Sequence, residues 1–82
     1  MLEELVLAMR AVTPLADLPG AEDRRGWRSG AGISRETAAA LCGVAVRSLA
    51  DWERGLRTPT MAHRRVYLRF LAVARSLATE AA

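Results

Sequence analysis

Lysine is absent from this 82-residue chain: all twelve basic residues are arginine. Cysteine and histidine occur once each, as Cys42 and His63. A single thiol rules out an internal disulfide and falls short of a zinc ligand set, and one imidazole leaves little room for His-based catalysis. Nowhere do apolar and polar residues alternate as in a half-buried strand, so an all-α fold is expected. Apolar runs are too short to span a bilayer, and the opening MLEELVLAMR begins acidic rather than basic, unlike a secretory signal. The expected location is the cytoplasm. No Ser/His/Asp set, paired carboxylates or Gly-rich phosphate loop is present, which argues against an enzyme and gives no reason to expect a cofactor or a small-molecule effector.

Charge is distributed unevenly. Residues 1–23 hold five carboxylates against Arg10, a balance of −4, whereas residues 24–75 hold eleven arginines against Glu36, Asp51 and Glu53, a balance of +8. Such a basic block is a footprint for an acidic partner such as nucleic acid, although alone it is more simply a solvated face. For the all-arginine usage we favour the bias of a GC-rich genome over a demand for bidentate contacts. A chain of this length folds as one domain and buries only about 60–65% of its unfolded surface, so dimerisation would add needed stability. Four aromatics, Trp27, Trp52, Tyr67 and Phe70, leave the core to Leu, Val and Ala.

The densest pattern is RETAAALCGVAVRSLADWERG, residues 35–55. Ser34 can accept from the free amides of a first turn, with Thr37 three residues on, and the Ala-rich run that follows favours helix and offers a flat surface for a close crossing. Gly43 stands where a helix commonly ends in a left-handed conformation. Val44 then plugs the corner. Leu49 and Trp52 turn one face of a second helix, Val46 to Arg54, onto Ala38, Ala39 and Cys42, which leaves Val46, Arg47, Ala50 and Asp51 mostly outward. Cys42 reads as a small buried hydrophobe rather than a redox sensor. Around this motif, Leu2, Leu5, Met9 and Val12 mark an amphipathic helix over residues 2–12, and Ala21 to Ser29 form another, weakened at Gly26 and anchored by Trp27. Thr60 caps a long helix from Met61 to about Ala78, with one apolar stripe of Val66, Phe70, Val73 and Leu77 and a second of Tyr67, Leu71, Ala74 and Ala78; Leu68 and Ala72 widen the face. The expected architecture is a small helical bundle: residues 1–20 an N-terminal helix and linker, 21–59 a helix-turn-helix core, 60–82 a C-terminal helix and possible dimer interface.

From Arg28 to Pro59 the motifs R-x-x-x-G-I-S, Cys42-Gly43-Val44 and W-E-R-G-x-R-x-P (Trp52 to Pro59) resemble the Xre/Cro/C1-type helix-turn-helix domain of phage repressors and bacterial regulators, a lambda repressor-like fold. Ala45 departs from it, standing where the family usually has a Ser or Thr cap. The resemblance implies a second motif helix that enters the major groove of double-stranded DNA. Arg47 would read guanine O6 and N7, Val46 would pack on a thymine methyl, and Asp51 would either accept from a cytosine amine or orient Arg47. Arg35, Arg54 and Arg57 would hold phosphates on the two sides of that helix, Ser48 would donate to a phosphate or face the other helix, and Arg64 and Arg65 are weaker candidates. The resemblance also makes Arg28 and Glu53 a scaffold pair. Because operators read by this fold are usually two half-sites, we favour a homodimer through the broad C-terminal helix, over burial of that face within one subunit. A transcriptional regulator, most simply a Cro-like repressor, is the leading expectation. An antitoxin or phage adaptor working by protein contacts, and an excision or recombination accessory factor, are the alternatives.

Overall fold

A computed structural model describes residues 2–82. Five helices follow one another: α1 (Leu2–Ala11), α2 (Ala21–Gly30), α3 (Arg35–Cys42), α4 (Val46–Glu53) and α5 (Met61–Ala81). Each expected helix is present, with α5 running three residues further than the apolar pattern indicated.

The motif forms as its residues dictate. Ser34 accepts from the Thr37 amide at 3.1 Å and so satisfies one free donor at the start of α3. At the other end Gly43 has φ +70°, its amide donates to Ala40 O, and Val44 N–H donates to Ala39 O at 3.0 Å. A side chain at that φ would be strained, so the corner needs glycine. Gly55 ends α4 in the same way: its amide donates to Trp52 O, and Leu56 N–H donates to Asp51 O. Ala38 and Ala39 are buried at the α3–α4 crossing, under Leu49 and Trp52.

The long helix is the hub. α5 packs on α1, α2 and α3, and seven of its residues, Tyr67, Leu68, Phe70, Leu71, Ala72, Val73 and Ala74, are buried by this one chain. The breadth of its apolar face is therefore accounted for within the subunit and no longer argues for a dimer through α5. Small residues set the closest approach: a Cβ on Gly30 would come within 3.2 Å of Ala78 Cβ. Arg69 Nη1 donates to the carbonyls of Met9 and Val12, satisfying acceptors left free at the end of α1.

One expectation for α2 needs correction. Trp27 packs against the core as expected but is only half-buried, with the Arg75 guanidinium 5.6 Å from the centre of its ring, and the fully buried side chains of α2 are Arg24 and Arg28. A helix with few apolar residues covers the core with arginine stems instead.

Candidate nucleic-acid interface

Helix α4 stands at the surface on one side only. Leu49, Trp52 and Glu53 are buried, Val46 and Arg47 are exposed at its first turn, and Asp51 is half-buried. No side chain caps its start at Ala45. The first amides of the helix are thus left without a side-chain partner.

Beneath it lies a charge cluster that joins three helices. Arg28, on α2, grips both carboxylate oxygens of Glu53, donating to Oε2 through Nε and to Oε1 through Nη2 at 3.0 Å. Its third donor, Nη1, reaches the Ile33 carbonyl at 2.8 Å. The expected scaffold pair is thus present as a two-pronged buried bridge, the geometry in which arginine surpasses lysine. Arg35, at the start of α3, joins it and donates through Nε to Glu53 Oε1 at 3.2 Å. Its side chain remains 44% exposed, which leaves the outer part of the guanidinium open to solvent. That link between Arg35 and Glu53 was not foreseen from the sequence.

The remaining carboxylate on this side is also neutralised. Asp51 Oδ2 lies 4.0 Å from Arg57 Nη1 and makes no ion pair with Arg47. Among the described residues, Arg47 and Arg54 have no ion-pair partner, so the outward field of α4 and the turn behind it is positive. Ser48 is half-buried. With Arg57, Thr58, Thr60 and His63 it lines a shallow hollow of about 150 Å³ beside α4, where Thr60 Oγ1 lies 3.3 Å from His63 Nδ1. Thr58 and His63 line this hollow without any pattern in the sequence to mark them. Thr60 stands at the start of α5 as expected, but its side chain makes no cap bond to the first amides. Arg64 and Arg65 lie further along α5, in a separate hollow with Pro14 and Met61.

A family model described as helix-turn-helix matches residues 27–73. The chain belongs to the Cro/C1-type helix-turn-helix family. The match covers more than half the chain, and α3, α4 and most of α5 lie inside it, whereas α1 lies outside. No curated protein and no solved structure matches the chain. Membership of this family makes the fold that of a DNA-binding transcription regulator, not of an enzyme family. No described helix is long and apolar enough to cross a membrane.

Two buried titratable groups under the helix-turn-helix are held neutral. Burial pushes the Cys42 thiol up to about 12, which keeps it a small hydrophobe at the interhelical corner. Burial also raises Tyr67, reinforced by Glu53 and Cys42 and opposed by Arg24 and Arg28. Among the described residues no cluster of His, Cys, Asp and Glu is arranged to hold a metal.

Proposed function

We propose that this helix-turn-helix protein is a sequence-specific double-stranded DNA-binding regulator that lays α4 in the major groove and acts in the cytoplasm as a homodimer on two half-sites. The observation that carries this reading is the pairing pattern: the carboxylates around α4, Asp51 and Glu53, are matched to arginines, while Arg47 and Arg54 stand exposed and unmatched. Arg47, on the first turn, reads guanine, and Val46 beside it packs on a thymine methyl. Asp51 accepts from a cytosine amine. Arg35 meets a phosphate on one side of the groove, and Arg54, Arg57 and Ser48 meet phosphates on the other, with the hydroxyls of Thr58 and Thr60 beside Arg57.

The test separates reading from holding. Arg47→Ala is expected to lose about 1–3 kcal/mol on the cognate duplex and relax preference at one base pair per half-site. Arg54→Ala is expected to weaken cognate and random duplexes alike. For a dimer neutralising about six phosphates, log affinity falls with log salt at a slope near −5. A slope near zero excludes DNA binding, and full discrimination by Arg47→Ala at every position misplaces the reader.

A further inference from the structure

The apolar face of α5 is covered within the chain, whereas α1 keeps an apolar side open to solvent. Its inward side, Leu5 and Met9, packs into the core, while Leu7 is 62% exposed on the outward side and Leu2, at the helix start, is 48% exposed. Leu2, Glu3, Val6, Leu7 and Arg10 line one shallow hollow there, so the outward stripe is apolar with one acidic and one basic end. α1 packs on α5 and α3, and α4 packs on α2 and α3. A partner on α1 leaves α4 exposed.

We infer that this stripe is a homodimer interface in which α1 pairs antiparallel with α1 of a second copy. The inference rests on the dimeric reading given above and names the surface it uses. Its argument is self-complementarity. A two-fold axis between residues 6 and 7 places Val6 against the second copy's Leu7, and Glu3 against its Arg10, and repeats both contacts by symmetry. Parallel pairing would instead set Glu3 on Glu3 and Arg10 on Arg10, which like-charge repulsion disfavours. One short helix stripe covers less than the roughly 800 Å² per partner of a stable interface. The pair is accordingly weak in free solution and strengthened when two half-sites hold both copies on one duplex.

The experiment uses charge reversal in the whole chain. Self-association is followed by sedimentation at high protein concentration and by cooperative binding to a two-half-site duplex. Glu3→Arg and Arg10→Glu each convert two attractive contacts into repulsive ones and should weaken association by about tenfold. Mixed in equal amounts, the two variants re-form a pair with both contacts attractive, and the double variant Glu3→Arg/Arg10→Glu restores the homodimer. Leu7→Cys should oxidise readily to a linked dimer, since position 7 lies beside the axis. All four variants should keep wild-type circular dichroism and wild-type affinity for a duplex with a single half-site. Undiminished association of the single variants, failure of the mixture to recover, or absence of wild-type association both free and on the duplex overturns the inference. Loss of single half-site binding by the wild type would instead overturn the DNA-binding reading and leave the dimer result standing.

Discussion

Removing the Glu53 carboxylate is the sharpest test of what holds the DNA-facing elements together. Its side chain is 2% exposed and that of Arg28 is 10% exposed, so neither charge can recover water when the other is lost. Glu53→Ala deprives Arg28 of two acceptors and leaves only the Ile33 carbonyl, and it removes the Nε partner of Arg35. Breaking a buried pair from one side costs about 3–5 kcal/mol. A domain of this size has roughly 4–12 kcal/mol in all, so about a quarter or more of its stability should go. Thermal unfolding should move down by at least about 12 °C. Arg35→Ala, by contrast, removes one contact from a half-exposed side chain and should cost at most about 1 kcal/mol.

The assay is urea unfolding, followed by the fluorescence of Trp27 and Trp52, at low and high salt. Salt should erode the small Arg35 effect and leave the Glu53 effect nearly unchanged, because a buried pair is weakly screened. The double variant Arg28→Met/Glu53→Leu is the decisive control. It removes both charges together and should be close to wild type or more stable. If Glu53→Ala stays within about 1 kcal/mol of wild type, or the double variant loses as much as the single, the bridge is not the brace this geometry makes it.

Two further outcomes follow from buried groups. Arg24 is 7% exposed, and its Nε and Nη1 have no hydrogen-bond partner among the described residues, so Arg24→Met should raise stability by about 1–3 kcal/mol in the same assay; a loss would mean that the guanidinium is satisfied. Cys42 and Tyr67 hold their protons more tightly folded than unfolded, so the stabilisation is complete below the thiol's ordinary 9.0 and is lost as pH climbs towards about 12. Unfolding free energy should fall by about 1.4 kcal/mol per pH unit for each group once pH passes that group's ordinary value, and unchanged stability between about pH 8 and about pH 10 would contradict burial of the thiol.

The motif was legible because its constraints are local. Ser34 and Thr37, Ala38 and Ala39, and Gly43 each act within one turn of themselves, so spacing alone placed the cap, the crossing and the corner. Helix α2 was legible as a helix but its buried face was not, because the residues it buries, Arg24 and Arg28, are of the type usually left in water. Arg28 was placed by the family resemblance, which pairs it with Glu53; nothing comparable marked Arg24. For α5 the periodicity gave the width of the apolar face correctly but not what covers it. Three other helices of the same chain do, which removed the case for a second copy there. The Arg35 contact with Glu53 spans eighteen residues, beyond any local pattern.

That contact changes how the edge of the proposed DNA surface works. A free arginine gives up about 2 kcal/mol of rotamer entropy when a phosphate fixes it. Arg35 is already held through Nε by a carboxylate that Arg28 locks in place, and its outer guanidinium remains exposed. Glu53 thus does two things with one buried charge. It ties α2 to the end of α4, and it orients an arginine at the start of α3, so the scaffold and one edge of the proposed interface are set together. Arg47 is under no such restraint. A side chain that holds the backbone benefits from being fixed in advance, whereas one that reads a base must still adjust to the edge it meets.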